Sequence, residues 1–168
     1  MTPLRAVASG MVAGAVGTLA MDTFLYSRYR RGGGASRFRD WELSTGLSSW
    51  DDAPAPAQVG RRLFEGLFRI EIPARHAALV SNVMHWGYGM LNGVEYAIVA
   101  GSLRRPHIAY GLPFGATVWV GDYIILPAAK LYEPIWKYDL ETLGKDLTAH
   151  LVFGLGTATA FQVVAGRS

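Results

Sequence analysis

The sequence predicts an all-α fold: an integral membrane four-helix bundle with an amphipathic interfacial helix between its first two spans, forming a single membrane domain. Three observations lead there. Of the 168 residues, 51% are hydrophobic and only 17% are charged, against about 25% charged in an ordinary soluble domain. Residues 6–21, 77–94, 106–121 and 147–166 contain no Asp, Glu, Lys or Arg. Small residues also recur four apart in these stretches, as in Gly10/Gly14, Gly89/Gly93 and Gly111/Gly115. That spacing lets helix backbones approach closely where lipid supplies no hydrophobic drive.

The second and fourth runs reach span length as they stand. The first and third are each interrupted by one acid, Asp22 and Asp122, and then continue to residues 27 and 129. The predicted spans are 6–27, 77–101, 106–129 and 147–166. Each covers roughly 20 residues, enough for a hydrocarbon core of roughly 30 Å. Each must be helical, because lipid offers backbone amides no partner. Pro106 opens the third helix, Pro113 is placed to kink it and Pro127 lies near its end. Gly154, Thr157 and Ala158 give the last helix a small face. Two alternatives stand beside this reading. One is a soluble helical protein with buried apolar helices, which the modest mean hydropathy of +0.19 allows. The other is a cleaved N-terminal signal with Arg5 as its basic region, against which the long first run and Gly10, Gly14 and Gly17 argue.

The connection 28–75 has two parts. Its first half, to Pro56, carries Arg30-Arg31-Gly32-Gly33-Gly34 and Asp51-Asp52-Ala53-Pro54-Ala55-Pro56, compositions that resist regular structure. In its second half Val59, Leu63, Phe64, Leu67, Phe68 and Ile70 share one side at helical spacing, with Arg61, Arg62, Glu65 and Arg69 opposite. This amphipathic helix over 59–70 is expected in the membrane interface, bound to anionic lipid. Packing of the same face on the bundle end or on another subunit is the alternative. Leu131, Tyr132, Ile135, Trp136, Tyr138 and Leu140 form a second expected interfacial segment with belt aromatics.

With no cysteine in the chain, disulfides, zinc ribbons and thiol nucleophiles are excluded. The net charge of +3 does not point to nucleic acid, because the basic residues flank hydrophobic runs instead of forming an aromatic-interleaved stripe. Nine arginines lie between the first two spans and three lysines, Lys130, Lys137 and Lys145, between the last two; Arg5, Arg104, Arg105 and Arg167 lie on the other side. The positive-inside bias therefore places both termini outside the cytoplasm.

Inside the spans sit Asp22, Asn82, His85, Asn92, Glu95, Asp122 and His150. An ionisable group at such depth is by default a functional candidate, because its insertion costs about 2.5–3.5 kcal/mol. Counted from the cytoplasmic ends, Asp22 lies roughly 6 Å deep, His85 roughly 12 Å, Asp122 roughly 9 Å and His150 roughly 5 Å. Glu95 falls near the outer end. Asp122 shares its face with Gly111 and Gly115, His150 with Gly154 and Thr157, Asp22 with Thr18 and Ala15, and His85 with Asn82, Gly89 and Asn92. This geometry directs Asp22, His85, Asp122 and His150 toward one cytoplasm-facing cavity.

Three readings compete for that cluster. It is a structural polar knot fixing helix register, a pathway for protons, cations or a small polar solute, or a site for a prosthetic group. For the last, His85 and His150 could ligate haem, or His85, Asp122 and His150 a divalent metal. Glycine-rich phosphate loops, Gly-x-Ser-x-Gly and His-Glu-x-x-His are all absent, so no catalytic motif supports an enzyme. The segments His85-Trp86-Gly87-Tyr88-Gly89 and Gly111-Leu112-Pro113-Phe114-Gly115, with Trp119, Asp122 and His150 opening a Gly-rich last helix, resemble a family of small bacterial inner-membrane proteins of the YagU type. The likeness covers roughly the C-terminal half. It implies an integral protein of the bacterial cytoplasmic membrane, loosely linked to acid resistance, and assigns no catalytic residue. The expected function is proton, cation or small-solute handling. The alternative is an accessory subunit that joins a larger membrane complex, or a homo-oligomer, through glycine faces and interfacial segments.

The topology is open to a direct check. A reporter fused after Ser168 should show a non-cytoplasmic C-terminus, and a cytoplasmic signal would reverse the orientation.

Overall fold

A computed structural model describes residues 2–103 and 107–166. Arg104, Arg105, Pro106 and Arg167, which entered the topology count or the third span, lie outside the described residues. Those described form six α-helices and no strand: α1 (Pro3–Arg31), α2 (Phe38–Glu42), α3 (Ala55–Leu67), α4 (Ala77–Ser102), α5 (Gly111–Ala128) and α6 (Leu140–Ala165). Three stretches are long and apolar enough to cross a membrane: α1, Ile108–Ala128 and α6. At 26 residues α4 has the length, but Asn82, His85, Asn92 and Glu95 dilute its hydropathy, so freedom from Asp, Lys and Arg overstated its apolarity.

The helix ends follow from capping chemistry. Gly33 takes φ 92° beyond α1, and the Gly34 N–H returns to the Tyr29 carbonyl at 3.0 Å, so the Arg-Gly run is a helix stop. The expected irregular stretch before Pro56 contains the short α2, closed by Ser44 at φ 49°. Pro113 lies in the first turn of α5, where its missing N–H is not needed, so it starts the helix and does not kink it. That helix begins at Gly111, after a 3-10 turn at Ile108–Tyr110 in which the His107 side chain accepts from the Ala109 N–H at 3.1 Å. The last helix begins seven residues before the predicted 147. Asp139 accepts from the Thr142 N–H at 2.7 Å and caps a polar first turn that lies within the predicted connection.

The chain divides into two compact units, Met1–Ser27 with Gly89–Ser168, and Arg28–Tyr88. In the first, glycines set the close contacts of α1 with α4 and α6 and of α5 with α6. A Cβ on Gly10 or Gly14 would strike the α4 backbone at Val94 or Met90, and one on Gly93 would strike Gly14. Gly156 brings α6 onto α1 at Gly17 and Ala20. Gly111 and Gly115 of α5 lie against the α6 backbone at Gly154 and His150. Around these contacts Ala13, Tyr96, Ala97, Ala100, Ala158 and Phe161 close a core, with the Tyr96 ring 5.0 Å from Phe114 and edge-on to Phe161 at 5.7 Å.

The second unit has a small core of its own, formed by Trp50, Ala57, Ala77 and Val80 with Leu47, Ala53, Ile72 and Met84 packed against it. The Trp50 indole donates to the Ile72 carbonyl at 3.1 Å, and the Gln58 amide donates to the Trp50 carbonyl. On α3 the small residue Gly60 faces Val80 and Met84 of α4.

These contacts separate two kinds of glycine. Gly154→Ala places a methyl on the Gly111 carbonyl and should lower stability by about 1–3 kcal/mol. Gly121→Ala, on a helical site with open space around it, should raise it by up to about 1 kcal/mol through helix propensity. Thermal unfolding in detergent reads both, and equal effects would mean that α5 and α6 do not touch at Gly154.

Candidate functional site

The close approach of α5 and α6 creates the most developed polar site. Gly111 faces Gly154 and Gly115 faces His150, so the antiparallel pair has a fixed register. Helical side chains lean toward their own N-terminus, which carries the His150 ring over the turn of Asp146. Asp122, two turns beyond Gly115, meets it there. His150 Nε2 lies 3.1 Å from Asp122 Oδ2, and His150 Nδ1 lies 2.9 Å from the Asp146 carbonyl oxygen. The Asp146 carboxylate is 3.8 Å from Nδ1. The side chains of His150 and Asp122 are only 10% and 18% exposed.

Hydrogen-bond chemistry fixes the proton inventory. A carbonyl oxygen can only accept, so Nδ1 carries a hydrogen. The facing Nε2 and Oδ2 would then both be acceptors in a neutral imidazole and an ionised carboxylate, and a contact of 3.1 Å between them requires one further proton. Asp122 and His150 therefore share a proton.

Tyrosines line the same end of the helix pair. Tyr123, Tyr132 and Tyr138 have ring centroids 5.5–6.3 Å apart, and Trp119 lies 5.1 Å from Tyr123. The Tyr123 hydroxyl donates to the Asp146 carboxylate. Burial, then the charges of Asp146 and Asp122, push the Tyr132 phenol up to about 12.

Of the four groups expected in one cavity, the structure brings Asp122 and His150 together. Asp22 is buried on α1 in the first unit, 3% exposed, one turn after Thr18, whose hydroxyl donates to the Gly14 carbonyl at 2.9 Å. Asn92 is buried and Glu95 is exposed. His85 belongs to the second unit. There its ring and the Glu42 carboxylate have donor atoms within 4.8 Å of each other. The Trp86 indole donates to Glu42 Oε1 at 3.1 Å, and the Asn82 amide donates to the Leu43 carbonyl at 3.0 Å, so the end of α2 is tied to the first turns of α4. Among the expected interface residues Arg62, Phe64, Phe68, Arg69 and Trp136 are exposed, while Arg61 pairs with Glu65 at 2.9 Å and lies over the Trp50 ring. Sequence reasoning missed Asp146, Glu42 and Tyr123, and placed Tyr132 and Tyr138 in an interfacial segment. An i,i+4 relation to His150 was the available signal for Asp146; Glu42 had none, being distant in sequence from His85.

Asp122 and His150 could also hold a divalent ion, since ligand–metal distances near 2.0–2.2 Å leave adjacent ligands about 3 Å apart. Among the described residues no third His or carboxylate completes that pair. Haem ligation through His150 would compete with Asp122 for Nε2. Comparison with protein-family models, curated proteins and solved structures found no match.

The pair predicts coupled energetics. Asp122→Ala and His150→Ala should each destabilise by roughly 3 kcal/mol, since each leaves a buried polar partner uncompensated. The double variant should cost less than the sum by about 1–3 kcal/mol in denaturant unfolding; additivity would mean the groups do not meet. The Tyr132 phenol is favoured in its neutral form by folding, so its contribution to stability is complete below its ordinary pKa of about 10 and is lost as pH rises toward about 12. Tyrosinate absorbance should lose a component titrating near pH 12 in Tyr132→Phe.

Proposed function

We propose that the protein is a four-span protein of the bacterial inner membrane that binds and moves protons through the Asp122–His150 pair. The observation that carries this reading is the contact geometry: Nδ1 is committed to the Asp146 carbonyl, so the 3.1 Å contact between Nε2 and Oδ2 holds a shared proton. Carboxylate and imidazole placed together inside apolar helices are the groups from which proton relays are built. Tyr123 and Asp146 extend the hydrogen-bonded chain toward the α5–α6 connection. Lys130 and Lys137 in that connection, with Lys145 in the first turns of α6, favour a cytoplasmic side for that end. The fourth span is α4: Leu91, Ile98 and Val99 are exposed whereas Asn92, Gly93 and Tyr96 are buried, an apolar-out, polar-in arrangement suited to lipid. The bacterial inner-membrane setting rests on the resemblance to the YagU type.

The second reading, an accessory subunit, is favoured by the glycine contacts, which join α5 to α6 whatever the protonation of the pair. In that case the Asp–His contact only fixes register.

Proteoliposomes with an imposed pH gradient separate the two. The wild-type protein should dissipate the gradient faster than empty vesicles. Asp122→Asn, whose amide can still donate to Nε2 and hold the fold, should fall to the empty-vesicle rate. Wild-type flux equal to the empty control, with a discrete heterologous assembly on blue-native gels, would establish the subunit instead.

A further inference from the structure

The apolar stripe of α3 is used in two different ways along its length. Ala57 and Gly60, in its first turns, are buried in the second unit's core, with Gly60 against Val80 and Met84. One turn later the same stripe continues as Leu63, Phe64, Leu67 and Phe68, and none of these four is buried. Leu67 is 71% exposed, Phe68 62% and Ile70 55%. The chain turns at this end instead of running on: Arg69 takes the left-handed φ of 55°, and the Ile70 N–H returns to the Phe64 carbonyl at 3.2 Å. The Phe64 and Phe68 rings stay together, 5.8 Å apart. The result is a blunt apolar tip made of Leu67, Phe68 and Ile70, with Arg69 on it and Arg62 at its border. The acidic residue of the helix, Glu65, is occupied by Arg61.

We propose that this tip inserts into the headgroup region of an anionic bilayer, Leu67, Phe68 and Ile70 entering the acyl boundary and Arg69 meeting lipid phosphate. The whole helix does not lie flat in the interface, because its first turns are committed to Trp50, Val80 and Met84. The observations favour lipid over a protein partner. Large apolar side chains bordered by arginine match an apolar layer beneath anionic headgroups, and the segment is joined in sequence to α1, which is long and apolar enough to cross a membrane. The proposal rests on the membrane reading above and is tested separately from it.

The absence of cysteine makes the full chain suited to single-site labelling. Leu67→Cys, Phe68→Cys, Val59→Cys and Ile124→Cys would each carry an environment-sensitive fluorophore in proteoliposomes of mixed phosphatidylglycerol and phosphatidylcholine containing shallow brominated lipid. Labels at 67 and 68 should be quenched, whereas the label at 59 should not. Replacing Arg69 by Gly, which suits the left-handed turn and removes the cationic side chain, should lower the ratio of inserted to free tip about fivefold in anionic vesicles, the factor equivalent to the ~1 kcal/mol of one basic residue at such a surface. It should have no effect in phosphatidylcholine alone. Label 124 sits on an exposed position of α5, within a stretch long and apolar enough to cross a membrane, and reports on the membrane reading itself. Quenching at 124 without quenching at 67 and 68 would overturn the tip proposal alone, and no quenching at 124 would overturn the membrane reading. Quenching at 59 as strong as at 68 would replace the inserted tip by a flat helix, and protection at 67 and 68 without lipid quenching would assign the tip to a second protein surface.

Discussion

Helices α5 and α6 approach until backbone meets backbone, and the chemistry of the first unit depends on that approach. Gly111 lies on Gly154, and Gly115 lies on the carbonyl of His150. A side chain at either glycine would force the axes apart by the width of a methyl group. The Asp122–His150 distance of 3.1 Å would then lengthen beyond hydrogen-bond range. Small residues thus do more than permit packing: they set the register in which a carboxylate on one helix and an imidazole on the other come to share a proton. The same device joins α1 to α4 and α6 through Gly10, Gly14, Gly93 and Gly156. In lipid, where apolar side chains gain nothing by leaving their surroundings, this close van der Waals contact is the main source of helix association.

The polar site illustrates how a backbone group can direct side-chain chemistry. The Asp146 carbonyl takes the Nδ1 hydrogen and so decides which face of the imidazole is available to Asp122. The ring is oriented by the helix it belongs to and meets a carboxylate of the neighbouring helix. Tyr123, by donating to the Asp146 carboxylate, ties the same turn to the aromatic cluster at the α5–α6 connection. A network of this kind is costly when one member is removed, because the low local dielectric penalises whatever remains unpaired. It therefore serves as a register lock in every protonation state that keeps its contacts, and as a proton site only if those contacts exchange.

The second unit reaches stability by different means. Its core is small, centred on Trp50, and several of its bonds tie side chains to the carbonyls of short irregular segments: Trp50 to Ile72, Gln58 to Trp50, Asn82 to Leu43. Such bonds give definition to a stretch with little apolar area to bury. Because that core ends at Gly60, the second half of the α3 stripe has no partner within it, and large apolar side chains are left on the surface.

The sequence by itself determined the all-helical class, the long helices to within a few residues except at two starts, the small-residue faces and the Asp122/His150 candidates. All of these rest on periodicity and on spacing within one helix, which are local properties. The misplaced start of α6 has a local cause too: its first turns, capped by Asp139, lie on the far side of Lys145 and Asp146 from the apolar run. What only the tertiary structure decided is which side chains meet. Asp22 and His85 are as polar and as well aligned on their helices as Asp122 and His150, yet only the latter pair is shown in contact within one unit. The reason is the register of α5 on α6, which is set by contacts between residues some 40 positions apart, Gly111 and Gly154 among them. The same holds for α3, whose apolar stripe reads as uniform in sequence and is divided at Gly60, the last of its residues to be buried.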